Sequence, residues 1–295
     1  MEYSGKYNHL YWDIIGLCNS KCPYCCNGGN SIAGPHHKSK GGVLSPEDFD
    51  KSLNYLLSNG IISPRTTEIS LYNWGEVFLH PQFEKMLDIV ADKGFNLSLS
   101  TNGSIVKVLS EKVIHKLFTL RFSMPGFSQE SYDKIHGFRF DKILYNIQAI
   151  VNQIRNISRN PKISICIHHY KFNEHELELA DKFCKEVGIY FHHFNALFGG
   201  LSLWKCITDK DVFLDRIEAV GKRRTKDWEC PQPKVLVLDE YCNVLQCCGT
   251  DRSTEGHVIG NLYEVDFNTL MEKRKNAEIC KWCSKNNIDY IGHNL

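Results

Sequence analysis

The sequence predicts an α/β domain on a parallel sheet, followed by a smaller cysteine-rich segment, and three observations carry that prediction. Strand-like and helix-like runs alternate from Tyr11 to Phe194, the pattern of strands joined by crossover helices. The alternation stops beyond Phe198-Gly199-Gly200. From there cysteines return at 206, 230, 242, 247, 248, 280 and 283, out of 13 in the chain. The expected division is therefore 1–200 and 201–295. A chain of 295 residues suits one large core with a small appendage.

The first strand is the apolar run Tyr11 to Gly16, directly before Cys18. A polar, glycine-bearing stretch, Asn27 to Gly42, follows and is expected to cap the loop or the substrate entrance. Ser45 caps a helix from Pro46 to Ser58, with proline at the first helical position and Glu47 and Asp48 in the first turn, where the helix dipole favours negative charge. Glu68 to Tyr72 is the second strand, Pro81 to Lys93 a helix, and Asn96 to Ser100 the third strand. Leu120 to Met124 is the fourth. Helix Phe140 to Arg155 sets Ile143, Ile147, Ile150 and Ile154 on one buried face. Ile163 to His169 is the fifth strand, Glu174 to Val187 its helix, and Ile189 to Phe194 the sixth strand. After the break, Val235 to Leu238 and Val244 to Gln246 flank a turn beginning Asp239-Glu240-Tyr241, which reads as a hairpin. Phe267 to Arg274 is a short helix.

With 35 basic and 34 acidic residues the formal net charge is +1, so charge offers no argument for a nucleic-acid or membrane-surface partner. No apolar run approaches the roughly 20 residues a membrane helix needs, and Glu2 to His9 is polar where an export signal would be basic and then apolar. The expected location is the cytoplasm. There, 13 cysteines read as metal ligands and reduced buried thiols, not as disulfides.

Cys18-Asn19-Ser20-Lys21-Cys22-Pro23-Tyr24-Cys25 places three thiols in one short loop. Three thiolates can hold a [4Fe-4S] cube and leave one iron open to a small chelating molecule. A structural zinc site is the alternative, although zinc usually pairs two C-x2-C knuckles. In the C-terminal segment Cys230 precedes the hairpin, Cys247 leaves it, and Cys280-Lys281-Trp282-Cys283 forms a knuckle. Four such thiols can close around a second cluster or around zinc.

The C-x3-C-x2-C loop resembles the signature of the radical S-adenosylmethionine (SAM) superfamily, with Tyr24 at the aromatic position before the third cysteine. The resemblance implies that Cys18, Cys22 and Cys25 hold a [4Fe-4S] cluster whose open iron binds the amino and carboxylate groups of SAM. One electron then cleaves SAM to a 5′-deoxyadenosyl radical, which abstracts a substrate hydrogen atom. The turn Asn73 to Pro81 resembles the family's Gly-Gly-Glu-Pro motif and implies SAM contacts from Gly75 and Glu76, with Trp74 replacing the first glycine and Val77 the proline. Thr101-Asn102-Gly103 matches a family turn in which Asn102 hydrogen-bonds at the SAM site, although Asn-Gly also marks ordinary turns. Ser123, Gly126, Tyr132, Ile135 and Gly137 match a further family stretch, with Pro125 where aspartate is usual and His136 where arginine is usual. From it Ser123 is carried over as a contact to the SAM carboxylate or ribose. Six strands suit the partial (β/α)6 barrel of the superfamily.

The C-terminal segment resembles the SPASM/twitch extension of the same enzymes, in its shorter one-cluster twitch form. Cys230, Cys247, Gly260-Asn261, Cys280 and Cys283 match it, and Cys242 stands where glycine is common. The resemblance implies a second, auxiliary [4Fe-4S] cluster held by Cys230, Cys247, Cys280 and Cys283. The expected activity is dehydrogenation or epimerisation of a small polyol, amino sugar or aminocyclitol, with a reducing partner such as flavodoxin or ferredoxin. Cys248 is a candidate hydrogen-atom donor for epimerisation, and Cys26 a second one. A maturase of ribosomal peptides is the alternative, against which the chain opens almost directly into its first strand. A zinc-stabilised binding protein is the alternative outside catalysis. Histidines 168, 169, 192 and 193 lie on strands, where neighbours point to opposite faces, so one of each pair can face the interior as a proton carrier or ligand.

Overall fold

The computed structural model describes residues 6–23, 25, 27–28, 41–195, 234–250, 256–263, 266–278 and 280–281. Six strands come first: β1 His9–Trp12, β2 Glu68–Ser70, β3 Asn96–Thr101, β4 Leu117–Met124, β5 Lys162–His169 and β6 Tyr190–Asn195. Between them run α1 Pro46–Ser58, α2 Phe83–Asp92, α3 Glu111–Lys116, α4 Gln129–Lys134, α5 Phe140–Ile157 and α6 Leu177–Val187. The six strands lie side by side in sequence order and every neighbouring pair is parallel.

Burial decides which way each strand faces. On β4, Leu120, Phe122 and Met124 are fully buried, while Thr119, Arg121 and Ser123 on the opposite face are half-buried. The buried set shares one hydrophobic core with Phe49, Leu53 and Leu56 of α1, Met86 and Val90 of α2, and Ile143, Ile147, Ile150 and Ile154 of α5. The helices thus cover one side of the sheet. The other side is the polar inner face of an open, partial barrel, and ligands of such folds gather at the carboxyl ends of its strands.

Beyond β1 the sheet continues. β7 Val235–Leu238 pairs with β1 in parallel, then β8 Asn243–Leu245 and β9 Val258–Asn261 follow antiparallel, with α7 Phe267–Lys275 behind them. The Trp12 indole N–H donates to Asp239 O at 3.1 Å, and Asp13 N donates to Leu238 O at 3.0 Å. The expected hairpin is present, with Cys242 in its turn at φ +61°, the left-handed conformation that glycine adopts freely. Its thiol packs 3.2 Å from the Ser52 hydroxyl of α1.

Several boundaries differ from expectation for visible reasons. β1 ends at Trp12 instead of running to Gly16; Asp13, just past it, keeps one backbone bond to Leu238 O while its carboxylate binds the turn after β2. α6 starts at Leu177, after a 3-10 turn at Lys171–Glu176 in which Asn173 and Glu176 bond to the β4 end and its loop. α3 and β9 were not anticipated; α3 has six residues and β9 four, one of them glycine. Among the described residues no helix is long and apolar enough to cross a membrane. The expected split near residue 200 falls outside the described residues.

Candidate active site

Cys18, Cys22 and Cys25 follow β1, at the carboxyl end of the strands, and all three are partly exposed. Their loop is held from several sides. Lys21 N donates to His136 O at 3.0 Å, Gly28 N to Cys25 O at 3.0 Å, and the Asn27 amide to Trp74 O at 2.9 Å. A Cβ on Gly28 would lie 1.8 Å from Cys22 O, so the loop closes this tightly only with glycine there. Burial pushes the Cys18 thiol up to about 12, with the Glu76 carboxylate and Cys25 adding to it. Burial raises Cys22 as well, followed by Cys25 and Cys18. Cys18 and Cys22, two thiols that burial keeps from ionising on their own, suit a cationic iron-sulfur group, since a coordinating thiol is deprotonated outright. Behind the loop, Tyr132 and His136 are buried, and Tyr132 Oη and His136 Nδ1 have no hydrogen-bond partner among the described residues. These polar atoms fit a group held by the loop. Tyr24 and Cys26 lie outside the described residues, as does most of the Asn27 to Gly42 stretch. Among the described residues no three His, Cys, Asp or Glu side chains could hold a single metal ion, so the ligand sets rest on spacing and family.

The turn after β2 is built around two buried carboxylates. The Asp13 carboxylate accepts from Asn73 N at 2.9 Å, from Trp74 N at 3.0 and 3.1 Å, and from Gly75 N at 3.1 Å. Glu76 N donates to Leu17 O at 2.8 Å, which ties the turn to the cysteine loop. A Cβ on Gly75 would sit 1.8 Å from Ile15 O. The Glu76 carboxylate accepts from Thr101 Oγ1 at 2.7 Å, Asn102 N at 2.7 Å and Phe78 N at 3.1 Å. Burial raises its pKa against the pull of those bonds. Glu76 also caps the turn Val77–Leu79, where Val77 stands in for the family's proline at a position whose N–H needs no helical partner. The Asn102 amide donates to Asn19 Oδ1 at 2.8 Å and Ser20 Oγ at 3.0 Å. It therefore braces the cysteine loop from β3. Asp13 is the residue sequence reasoning missed; a lone acid after a strand gives no local sign of partners 60 positions away.

Ser123, Cys166, His168 and His192 lie on the inner face of β4, β5 and β6. Ser123 Oγ and His168 Nε2 share a hydrogen bond at 3.3 Å. His169 and His193 point the other way and form an edge-to-face pair at 5.7 Å. Burial lowers His136 to about 3, with His168 contributing, so its ring is neutral. Farther down the face stand Tyr11, Tyr72, Ser100 and Arg121, the two tyrosine rings edge to face at 5.6 Å.

The C-terminal segment docks on the same turn. The Trp74 indole donates to Thr250 O at 3.0 Å, and the Asn73 amide, oriented to satisfy both its ends, donates to Cys248 O at 3.0 Å. Trp74, at the first-glycine position of the motif this turn resembles, thereby bridges the turn after β2 to the cysteine-bearing hairpin. Gln246 Nε2 donates to Cys280 Sγ at 3.0 Å, next to Cys247 in sequence. Buried Arg274 donates to Gln246 O at 2.7 Å, in the electrostatic reach of Cys247, Cys280 and Cys248. Cys230 and Cys283 lie outside the described residues. Asn261, of the Gly260-Asn261 pair, ties the hairpin turn by donating to Tyr241 O at 2.9 Å.

Comparison with known proteins fits this arrangement. AlbA of Bacillus subtilis (strain 168), a protein of antilisterial bacteriocin subtilosin biosynthesis, is 26% identical over 132 residues, 44% of this chain. The match spans 27% of AlbA's length. A SAM-dependent nucleotide dehydratase of Selenomonas ruminantium is 23% identical over 284 residues, covering 88% of this chain and 92% of that protein. The structure of native anSMEcpe with bound AdoMet shares the fold at a TM-score of 0.62, with 16% identity over 96% of this chain and 88% of that one. The family model of the radical SAM superfamily matches residues 12–184, from the end of β1 through the cysteine loop, both turns and strands β2 to β5. With more than half its length inside that model, the chain belongs to the radical SAM superfamily.

Proposed function

We propose that this radical SAM enzyme abstracts a hydrogen atom from a small hydroxylated substrate, a polyol, amino sugar or aminocyclitol, and completes a dehydrogenation or an epimerisation in the cytoplasm. The polar inner face carries the reading: Tyr11, Ser100, Arg121, Ser123 and His168 line it just below the ends that bear the cysteine loop, Glu76 and Asn102. When bound, the cluster supplies an electron and SAM the hydrogen-abstracting fragment. The protein's part is to hold and orient them. Cys18, Cys22 and Cys25 would hold the cluster, with flavodoxin or ferredoxin as the reductant. Gly75 and Glu76 would meet the SAM amino group and Ser123 its carboxylate or ribose, while Asn102 keeps the loop in register with β3. A second cluster on Cys230, Cys247, Cys280 and Cys283 would take the further electron that a dehydrogenation releases. Cys248, on the segment bonded to Asn73, would instead return a hydrogen atom in an epimerisation.

Anaerobic reconstitution with iron and zinc quantitation tests the cofactor set, and about eight irons per chain is the expected content. Zinc in place of iron refutes the proposal. In Cys248→Ala an epimerase still makes 5′-deoxyadenosine but forms no product, whereas a dehydrogenase loses little. Peptide modification is the second reading, favoured by AlbA's part in making a bacteriocin. Consumption of SAM only with a peptide present would establish it.

A further inference from the structure

Arg121 is a cation on the inner face with no matching anion among the described residues. It lies on β4 between Ser100 of β3 and Ser164 of β5, opposite in direction to the core residues Leu120 and Phe122. Among the described residues no hydrogen bond or ion pair involves its guanidinium, although cations elsewhere, such as Lys85, Lys93, Lys112, Lys134 and Lys185, each meet a carboxylate. The groups that feel its charge are Tyr72, Cys166, Tyr11 and Glu68, together with His192 on β6. Burial keeps the Tyr11 hydroxyl and the Cys166 thiol protonated, the latter pushed up to about 11. Burial lowers His192, and Arg121 lowers it further, so His192 is neutral as well. Glu68, the one acid of the group, lies toward the amino end of β2, where it already accepts the Ser98 hydroxyl.

Holding a guanidinium partly out of water with no counter-charge is unfavourable. The planar fork of arginine matches the two oxygens of a carboxylate or phosphate. Around it, Tyr11, Tyr72 and Ser100 add hydroxyl groups able to donate to the same oxygens.

We propose that Arg121 anchors an anionic group of the substrate, a phosphate or a carboxylate, on the inner face of the sheet. This rests on the inner face being the substrate's place and narrows the substrate to a phosphorylated or carboxylated small molecule. The SAM carboxylate is the competing occupant, and Arg121 lies two residues deeper along β4 than Ser123, away from the strand ends.

The test uses the full-length, anaerobically reconstituted protein, titrated with inorganic phosphate and separately with acetate at an ionic strength held constant with chloride. Thermal midpoint and, for phosphate, 31P line broadening are the readouts. Wild type is expected to respond saturably to one of the two anions and not to chloride. Arg121→Gln is expected to weaken that response by roughly tenfold while SAM affinity, measured by calorimetry, stays within about twofold. Arg121→Met serves the same purpose if the glutamine variant does not fold. Unchanged anion affinity in the variants, or no saturable response in wild type, overturns the proposal. A parallel loss of SAM affinity overturns it too and gives the arginine to SAM. None of these measurements needs SAM cleavage, so an enzyme that failed to cleave SAM would refute the proposed function and leave this result standing.

Discussion

Replacing Asp13 tests how the turn that bears Gly75 and Glu76 is held. Asp13 is 4% exposed, and its carboxylate accepts the backbone N–H groups of Asn73, Trp74 and Gly75. A hydrogen bond to a charged group contributes about 1.5–3 kcal/mol, and a buried donor left alone costs about 1–3 kcal/mol. Allowing for non-additivity, Asp13→Ala should lose about 4 kcal/mol. At the low end of the usual scaling for large domains that lowers the melting midpoint by roughly 8 °C. Asp13→Asn keeps one acceptor oxygen but turns an amide N–H toward the same donors, so about half the loss is expected. Urea denaturation gives the free energies and calorimetry the SAM affinity, which should fall with the displaced Gly75-Glu76 pair. A loss in Asp13→Ala below about 1 kcal/mol would mean that the three N–H groups find other acceptors, and would refute the reasoning.

Three further outcomes follow from the geometry. His136 stays neutral in the fold down to about 3 while the unfolded chain takes up a proton below its ordinary value, so this site removes stability as pH falls through that window, by up to about 1.4 kcal/mol per unit. His136→Phe should flatten the acid limb of a urea-measured stability profile, and parallel profiles would contradict the burial argument. At Cys242, φ +61° makes glycine better than alanine: Cys242→Gly sheds a left-handed strain of about 1–2 kcal/mol, whereas Cys242→Ala keeps it and loses the contact to Ser52. An alanine variant as stable as the glycine one would exclude that strain. Gly75→Ala must displace Ile15 O, 1.8 Å from the added Cβ, and should cut SAM affinity by roughly tenfold or more; unaltered binding in calorimetry would dissociate this turn from SAM.

Local chemistry made much of this fold legible. Ser45 before Pro46 announced α1, and Ser45 Oγ accepts from Asp48 N at 3.0 Å as a cap should. The apolar spacing of Ile143, Ile147, Ile150 and Ile154 located the buried face of α5. Leu120 to Met124 was legible as a strand, but not that Arg121 on it would oppose the core and meet no acid among the described residues. Trp74 was visible as a departure from the family, yet its reason lies in Thr250, 176 positions on. Long-range pairing was likewise silent: nothing in Val235–Leu238 says that its partner is β1. Such pairings depend on which strand edges remain open once everything else has packed, a property of the assembled sheet.

The pairing of β7 with β1 sets an order on biosynthesis. The Trp12 indole waits for an acceptor 227 positions downstream, so during translation the earliest strand of the chain remains an uncovered edge until nearly all of it has left the ribosome. An exposed edge invites joining to other chains. Fragments ending at residue 195, which lack β7, should therefore aggregate more readily than the full chain.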